Sequence, residues 1–126
     1  IKRAIENGIT IQSIPGPCAA ISALVVSGLP TDGFIFTGFL PRKKGKLIKQ
    51  IGGLFSLEKT VIFYESPNRL VATLEAIKES FGDANVVIAR ELTKKFEEIL
   101  RGSIDSILNL LKERKIRGEV IVLLHK

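Results

Sequence analysis

The chain of 126 residues contains no methionine or tryptophan, one cysteine and one histidine. Cys18 has no second cysteine with which to form a disulfide bond, and this favours a reducing, cytoplasmic setting. His125 is the only histidine, so no Cys/His cluster has zinc spacing and a Ser-His-Asp triad would depend on that one residue. The sequence therefore argues against a metal site and against serine-hydrolase chemistry.

Long apolar segments are absent as well. No run approaches the ~20 apolar residues of a membrane span, and the N-terminus lacks an apolar segment followed by a small-residue cleavage site. The composition, with 45% hydrophobic and 25% charged residues, is typical of a globular domain. We therefore expect no membrane partner and one main core, since a chain of this length buries roughly two-thirds of its unfolded surface.

Short apolar runs alternate with helical patterns along the chain. The helices are a first one ending at Gly8, "CAAISALVVSG" ending at Gly28, residues 47–57, a fourth from the N-cap Ser66 to Gly82, and one starting near Ser103. The strands are "ITIQSI", "FIFTGF", "TVIFY", "NVVIA", "ILRG" and "EVIVLL". This alternation predicts an α/β domain with helices packed on a sheet of about five strands. No crossover helix fits between Ala89 and Gly102, so the sheet is expected to be mixed, with parallel and antiparallel strands.

The charge is unevenly balanced, with 19 Lys and Arg residues against 13 Asp and Glu residues and a net charge of +6. Such a balance favours a polyanionic partner, although many basic proteins have none. The basic run "RKKGK" after "FIFTGF" contributes Arg42, Lys43, Lys44 and Lys46. This run is either a solvated turn or a loop that contacts phosphates by releasing counterions.

Polar clusters follow two other strands at their carboxyl ends, where open α/β sheets gather ligands. After "TVIFY", the segment from Glu65 to Arg69 is either ordinary capping by Ser66 with a Glu65–Arg69 ion pair, or an anion site at a helix N-terminus. After "NVVIA", Arg90 and Glu91 form an ion pair with each other or with the first cluster, or they shape a pocket. In the second case Lys94 and Lys95 would face phosphates.

Plainer interpretations are expected for a few other residues. Cys18 is predicted to be a small packing residue, since no histidine lies near it in the sequence to activate the thiol. Tyr64 is predicted to lie in the core rather than to stack on a base. Glu97 and Glu98 are predicted on a solvated strand edge and not as an acid/base pair, because neighbouring strand residues point to opposite faces.

Three segments together resemble one family. They are "IPGPCAAISALVVSGLPTDGFIFTGFLPRKKGK", "FYESPNRL" and "ARELTKKFEE". In this order they are similar to the ribosomal RNA small subunit methyltransferase I family, within the tetrapyrrole methylase superfamily. The resemblance implies methyl transfer from S-adenosylmethionine to the ribose 2′-hydroxyl of a cytidine in small-subunit ribosomal RNA. It also implies two α/β domains with the cofactor between them, and a homodimer.

The resemblance further implies how the chain is divided and which residues act. Residues 1–28 would be the end of the N-terminal methylase domain and an interdomain helix, and residues 29–126 the C-terminal α/β domain. The N-terminal half that holds much of the cofactor would be missing, so the chain alone is expected to be inactive. In the "FYESPNRL" segment, Asn68 stands where the family usually has histidine.

By the same resemblance, each predicted role has its own set of residues. The cofactor-binding residues would be Pro17, Cys18, Ala19, Tyr64, Ala89, Gly118, Glu119 and Val120. The catalytic residues would be Glu65, Arg69, Arg90, Glu91 and Lys94. The RNA-binding residues would be Arg42, Lys43, Lys44, Lys46, Lys94 and Lys95. Two alternatives remain open at this point: a non-catalytic RNA-binding or dimerisation module, and a tetrapyrrole methylase relative with another substrate.

Overall fold

The computed structural model describes residues 1–126 and contains five strands and five helices. The strands are β1 (Phe34–Phe39), β2 (Thr60–Glu65), β3 (Asn85–Arg90), β4 (Glu98–Ser103) and β5 (Val120–His125). The helices are α1 (Lys2–Glu6), α2 (Ala19–Ser27), α3 (Lys44–Phe55), α4 (Pro67–Phe81) and α5 (Ile104–Glu113). The predicted α/β class is confirmed.

All five strands join one mixed sheet in the order β1-β2-β5-β3-β4. β1 and β2 are parallel, whereas β5 runs antiparallel to both of its neighbours, β2 and β3. β4 pairs antiparallel with β3, as the absence of a crossover helix predicted. The amino ends of β4 and β5 therefore lie at the same end of the sheet as the carboxyl ends of β1, β2 and β3.

Helices cover both faces of the sheet, which explains why the central strands are almost continuously apolar. On one face, a core of 19 buried residues lies under α3, α4 and α5 and includes Phe63 and Ile88. On the other face, α2 covers a smaller cluster of eight buried residues, in which its own Ala20 and Ala23 allow close approach to the sheet. None of the helices has both the length and the apolar character required to cross a membrane.

Local signals set one end each of α2, α4 and α5 as predicted. α2 ends at Gly28, whose φ of +77° lies in the left-handed region that glycine adopts without steric cost. α4 begins after Ser66 with Pro67 in its first turn. At the start of α5, the Ser103 side chain accepts a hydrogen bond from the Ser106 backbone N–H and so caps the helix.

Two predictions about segments are wrong. "ITIQSI" forms no strand, since residues 9–18 have neither helix nor strand and no strand of the sheet lies beside them to complete a hydrogen-bond ladder. The basic run is only partly a turn, because α3 begins at Lys44 and not at Leu47. Lys44 and Lys46 therefore lie in the first turn of that helix.

Two adjacent glycines in α3 test how helix propensity and packing combine. A Cβ atom at Gly53 would have open space around it, whereas one at Gly52 would lie 3.2 Å from the Phe81 ring. Alanine favours a helix interior over glycine by roughly 1 kcal/mol, so Gly53→Ala should raise the free energy of unfolding by about that amount. Gly52→Ala should gain less because Phe81 must move. Chemical denaturation of both variants measures the difference, and equal gains would contradict the role given to the Phe81 contact.

Candidate functional site

A cavity of about 560 Å³ opens at the end of the sheet where β2 and β3 finish and β5 begins. The strands contribute Phe39, Tyr64, Glu65, Ala89, Val120 and Ile121 to its lining. The loops and the first residues of α2 and α4 contribute Ala19, Ser66, Pro67, Leu92, Gly118 and Glu119. The volume lies within the range of small-molecule sites, and most of the lining is apolar.

The alternation of the strands explains which face of the sheet the cavity occupies. Tyr64 of β2 and Ala89 of β3 both lie directly opposite Ile121 of β5. Side chains two residues apart in a strand share a face, and Ile62 of β2 belongs to the cluster under α2. Ala19, the first residue of α2, lines the same cavity. The cavity therefore lies between the strand ends and the start of that helix.

Glu65 is the only charged residue that is buried, with 3% of its surface exposed. Its Oε1 atom accepts a hydrogen bond from the Ser66 backbone N–H at 2.7 Å, and its Oε2 atom accepts one from the Thr73 hydroxyl at 2.7 Å. Arg69 Nη2 lies 3.5 Å from Oε2 and also donates to the Pro41 carbonyl at 3.3 Å. Through Arg69, Glu65 therefore connects the start of α4 to the loop after β1. The Ser66 side chain makes no capping hydrogen bond.

A second cluster joins the loop between β3 and β4 to the start of β5. Glu91 Oε1 accepts hydrogen bonds from the Glu119 backbone N–H at 2.8 Å and from Lys94 Nζ at 3.1 Å. The Glu91 backbone N–H donates in return to the Glu119 carbonyl at 3.0 Å, and Lys94 Nζ lies 3.0 Å from Glu119 Oε2. We call these three residues, Glu91, Lys94 and Glu119, the clasp. Because Glu119 lines the cavity, the clasp fixes one of its walls.

The clasp is accompanied by unusual backbone geometry on both of the segments that it joins. Glu91 and Thr93 have φ values of +49° and +64°, in the left-handed region that costs a residue with a side chain roughly 1–2 kcal/mol. Gly118 has a φ of +89°, and a Cβ atom there would lie 2.6 Å from Glu91 Cγ. Glycine is therefore the residue that fits beside Glu91 at this wall.

The contacts within the clasp shift the pKa values of Glu91 and Lys94. Hydrogen bonds from the Glu119 N–H and from Lys94 lower the pKa of Glu91. The carboxylates of Glu119 and Glu91 raise the pKa of Lys94. Near neutral pH, Lys94 therefore stays protonated and Glu91 stays ionised. Neither group is tuned to exchange a proton with a substrate at that pH.

Arg90 pairs across the sheet rather than along the chain. Its Nη1 atom lies 3.4 Å from Glu98 Oε2, and Glu98 is directly opposite Arg90 in the β3–β4 ladder. Arg114 Nη2 lies 2.5 Å from the same oxygen. The predicted pairing of Arg90 with Glu91 or with the first cluster is therefore wrong, because Glu91 turns towards β5. The prediction of a solvated edge is also wrong for Glu98, which is partly buried between two arginines.

Glu98 should make the stability of the protein sensitive to acid. Hydrogen bonding to Arg114 and the nearby Arg90 lower the pKa of Glu98 from its usual 4.5. A carboxyl whose pKa is lower in the folded than in the unfolded state stabilises fully above the unfolded value, and this contribution is lost as pH falls through the folded value. The free energy of unfolding should therefore decrease below pH 4.5, and less steeply in Glu98→Gln. Urea unfolding over a pH series measures both slopes, and identical slopes would contradict this role.

Most of the residues predicted to bind a cofactor meet at the cavity. Those that line it are Ala19, Tyr64, Ala89, Gly118, Glu119 and Val120. Pro17 and Cys18 do not line it, and Cys18 is exposed as the N-cap of α2 instead of packed as predicted. Asn68 is exposed in the first turn of α4 and does not reach the cavity lining.

The other predicted residues are more widely distributed. Among those predicted to act in catalysis, Glu65 lines the cavity, whereas Arg69, Arg90, Glu91 and Lys94 lie outside its lining and hold neighbouring groups. Among those predicted to bind RNA, Arg42, Lys43, Lys46 and Lys95 are exposed and make no ion pair. Lys44 Nζ lies 2.6 Å from Glu79 Oε2, and Lys94 belongs to the clasp.

Sequence reasoning missed several residues of the site, namely Phe39, Leu92 and Ile121 in the lining and Arg114 beside Glu98. Phe39 is 70% exposed and its ring centroid lies 5.5 Å from that of Tyr64. Its place at the carboxyl end of β1 is a signal that could have identified it, since the same rule identified Glu65. Arg114 offers no such signal, because its partner is distant in the sequence.

The chain is similar in sequence to known proteins. The family model described as "Tetrapyrrole (Corrin/Porphyrin) Methylases" matches residues 1–108. "Ribosomal RNA small subunit methyltransferase I" of Hydrogenobaculum sp. is 45% identical over 129 residues, which is 100% of this chain and 55% of the relative. The protein of the same name from Streptococcus pyogenes is 43% identical over 123 residues, 98% of this chain and 43% of the relative. The chain thus spans about half the length of these relatives.

The fold is similar to that of solved structures. The methyltransferase CobJ aligns with a TM-score of 0.66 at 19% identity, covering 99% of this chain and 56% of that one. Uroporphyrin-III C-methyl transferase from Thermus thermophilus, complexed with S-adenyl homocysteine, aligns with a TM-score of 0.56 at 12% identity, covering 98% and 56%. The fold, the family match and the related sequences agree, and the chain belongs to the tetrapyrrole methylase family.

Proposed function

We propose that this chain is part of an S-adenosylmethionine-dependent methyltransferase that methylates the ribose 2′-hydroxyl of a cytidine in small-subunit ribosomal RNA. The observation that carries this proposal is the identity of 43–45% over nearly the whole chain to relatives named ribosomal RNA small subunit methyltransferase I. The segments "FYESPNRL" and "ARELTKKFEE" resemble motifs of that family, and this resemblance is the basis for proposing the ribose as the position of methylation. Such a substrate implies that the protein works in the cytoplasm.

The cavity suits a nucleoside-containing cofactor. Its lining is mainly apolar, and at Gly118 the backbone is free of a side chain. Glu65 is satisfied by its own contacts, so it adds no unpaired buried charge. No group of His, Cys, Asp or Glu side chains could hold a metal ion. When bound, S-adenosylmethionine supplies an electrophilic methyl group, and the residues that would hold it are Ala19, Tyr64, Ala89 and the Gly118 to Val120 segment.

The charged residues around the cavity act mainly by positioning. Glu65 and Arg69 hold the start of α4 against the Pro41 carbonyl, and the clasp holds the wall at Gly118 and Glu119. Lys94 stays protonated, so it is not the base that accepts the proton of a ribose hydroxyl. In this proposal the five residues first predicted as catalytic therefore shape the site and orient the substrate.

The remaining half of the site would come from the N-terminal α/β domain. We place the boundary near residue 28, so that residues 1–28 are the end of the N-terminal domain and the interdomain helix, and residues 29–126 form the C-terminal α/β domain. The length of the relatives, of which this chain covers 43–55%, supports a second domain of similar size. A homodimer of the full-length protein completes the proposed assembly.

The function is tested with the full-length protein, methyl-labelled S-adenosylmethionine and small ribosomal subunits that lack the modification. After digestion of the RNA to nucleosides, the label is expected in 2′-O-methylcytidine. Label in a base, or no label in RNA, would contradict the proposal. Transfer of the label to a tetrapyrrole would instead support a relative with another substrate. Strong RNA binding without any transfer would support a non-catalytic module.

A further inference from the structure

The cations around the cavity end of the sheet fall into two groups. One group has carboxylate partners within ion-pair distance: Arg69, Arg90, Lys94 and Arg114. The other group has none and is exposed: Arg42, Lys43, Lys46, Lys95, Lys115 and Arg117. We call this second group the rim cations. Lys46 lies in the first turn of α3 and the others lie in the loops that follow β1, follow β3 or precede β5, and all of these segments are at the same end of the sheet.

The paired cations hold the backbone segments that carry the rim cations. Arg69 donates to the Pro41 carbonyl, directly before Arg42. Arg90 Nε donates to the Arg117 carbonyl at 3.1 Å. Each of these bonds holds the backbone from which an exposed cation extends, Arg42 in the first case and Arg117 in the second.

The clasp holds the loop between β3 and β4, which carries Lys95. Lys94 is bound between Glu91 and Glu119, whereas the next residue, Lys95, has no carboxylate partner. Lys95 Nζ lies 5.7 Å from the centroid of the Phe96 ring, and that ring is 65% exposed. An exposed aromatic side chain beside a free cation is the arrangement with which proteins bind single-stranded nucleic acid, because bases stack and phosphates are neutralised.

We propose that the rim cations form a phosphate-binding rim for single-stranded RNA around the mouth of the cavity. Compared with the residues that the sequence predicts to bind RNA, this surface adds Lys115 and Arg117. It leaves out Lys44 and Lys94, because carboxylates already neutralise them. Arg117 directly precedes Gly118, which lines the cavity, so a phosphate bound there would lie next to the reacting nucleotide. Because the role of the rim rests on the proposed function, the test must separate the two.

The experiment measures binding of the full-length protein to protein-free small-subunit RNA from about 50 to 200 mM salt. Each lost phosphate contact lowers the salt slope by about 0.7 for single strands, so Arg117→Ala and Lys95→Ala should each lower it by about that amount. Affinity for S-adenosylhomocysteine should stay unchanged in both variants. Lys126→Ala is the matched control, because Lys126 also lacks a carboxylate partner but extends from the other end of β5, 6.0 Å from the Phe55 ring centroid.

The outcomes distinguish the rim from the proposed function. A salt slope in Arg117→Ala equal to that of Lys126→Ala would contradict the proposed phosphate binding by the rim cations. If the parent still methylates RNA, the proposed function would stand. A parent that neither binds nor methylates RNA would instead overturn the proposed function. The Arg117 side chain is exposed and makes no hydrogen bond or ion pair, so Arg117→Ala should unfold at the same denaturant concentration as the parent. An unchanged denaturation midpoint together with a lowered salt slope would support the rim.

Discussion

Gly118→Ala is expected to weaken the binding of S-adenosylhomocysteine to the full-length protein by more than about tenfold, which corresponds to about 1.4 kcal/mol. The new Cβ atom would lie 2.5 Å from Glu91 Cδ and 2.6 Å from Glu91 Cγ, so Glu91 or the β5 start must move. The φ of +89° adds roughly 1–2 kcal/mol of backbone strain for a residue with a side chain. Isothermal titration calorimetry measures the affinity, and chemical denaturation measures the accompanying loss of stability.

Two controls separate a local effect at the wall from a general effect of alanine. Gly53→Ala has open space and an ordinary helical backbone, so cofactor affinity should equal that of the parent. In a Glu91→Ala background, the overlap at residue 118 disappears and Gly118→Ala should cost less than in the parent, because the two positions are coupled. A cost that is the same in both backgrounds would show that the Glu91 contact plays no part.

Glu65→Ala is expected to lower the free energy of unfolding by roughly 2–4 kcal/mol, since it leaves a buried hydroxyl and a partly buried charge without their partner. The change removes the acceptor of the Ser66 N–H and of the Thr73 hydroxyl, and it leaves Arg69 with only the Pro41 carbonyl. The Arg69 side chain is 30% exposed, so solvent reduces the cost compared with a fully buried pair. Urea denaturation at neutral pH measures the loss.

The matched control for Glu65→Ala is Glu79→Ala. Glu79 also forms an ion pair, with Lys44 at 2.6 Å, but both side chains are more than half exposed. An exposed pair contributes roughly 0–1 kcal/mol, so this variant should be close to the parent in stability. If Glu65→Ala costs no more than Glu79→Ala, the view that Glu65 holds the start of α4 is wrong.

Much of the fold follows from local patterns. The apolar runs at Thr60 to Tyr64 and Asn85 to Ala89 identify buried strands, and Ser66 with Pro67 marks a helix start. These signals are carried by neighbouring residues, so the sequence displays them directly. "ITIQSI" has the same β-branched pattern, yet it forms no strand because strand formation also requires a partner, and pairing is not a local property.

Residues of the candidate site could be predicted where their place at the end of a strand decides their position. Ion pairs that depend on strand register or on the end of a helix were missed. Glu65 was expected at the cavity because the carboxyl ends of strands gather ligands, whereas Tyr64 and Ala89 were expected there only from the family resemblance. The pairing of Arg90 with Glu98 depends on the register of an antiparallel ladder, and that of Arg114 with Glu98 depends on how α5 ends. Neither is visible from residue type or spacing, so the sequence could not separate paired cations from free ones.

The central claim is that the cavity at the start of β5 binds the cofactor. Hydrogen–deuterium exchange of the full-length protein, with and without S-adenosylhomocysteine, tests this claim most directly. We expect slower exchange in peptides that cover Tyr64 to Pro67, Ala89 to Leu92 and Gly118 to Ile121. The groove between α4 and α5, near Val71 and Lys112, should not change. Protection confined to that groove, or no protection in the three cavity segments, would contradict the claim.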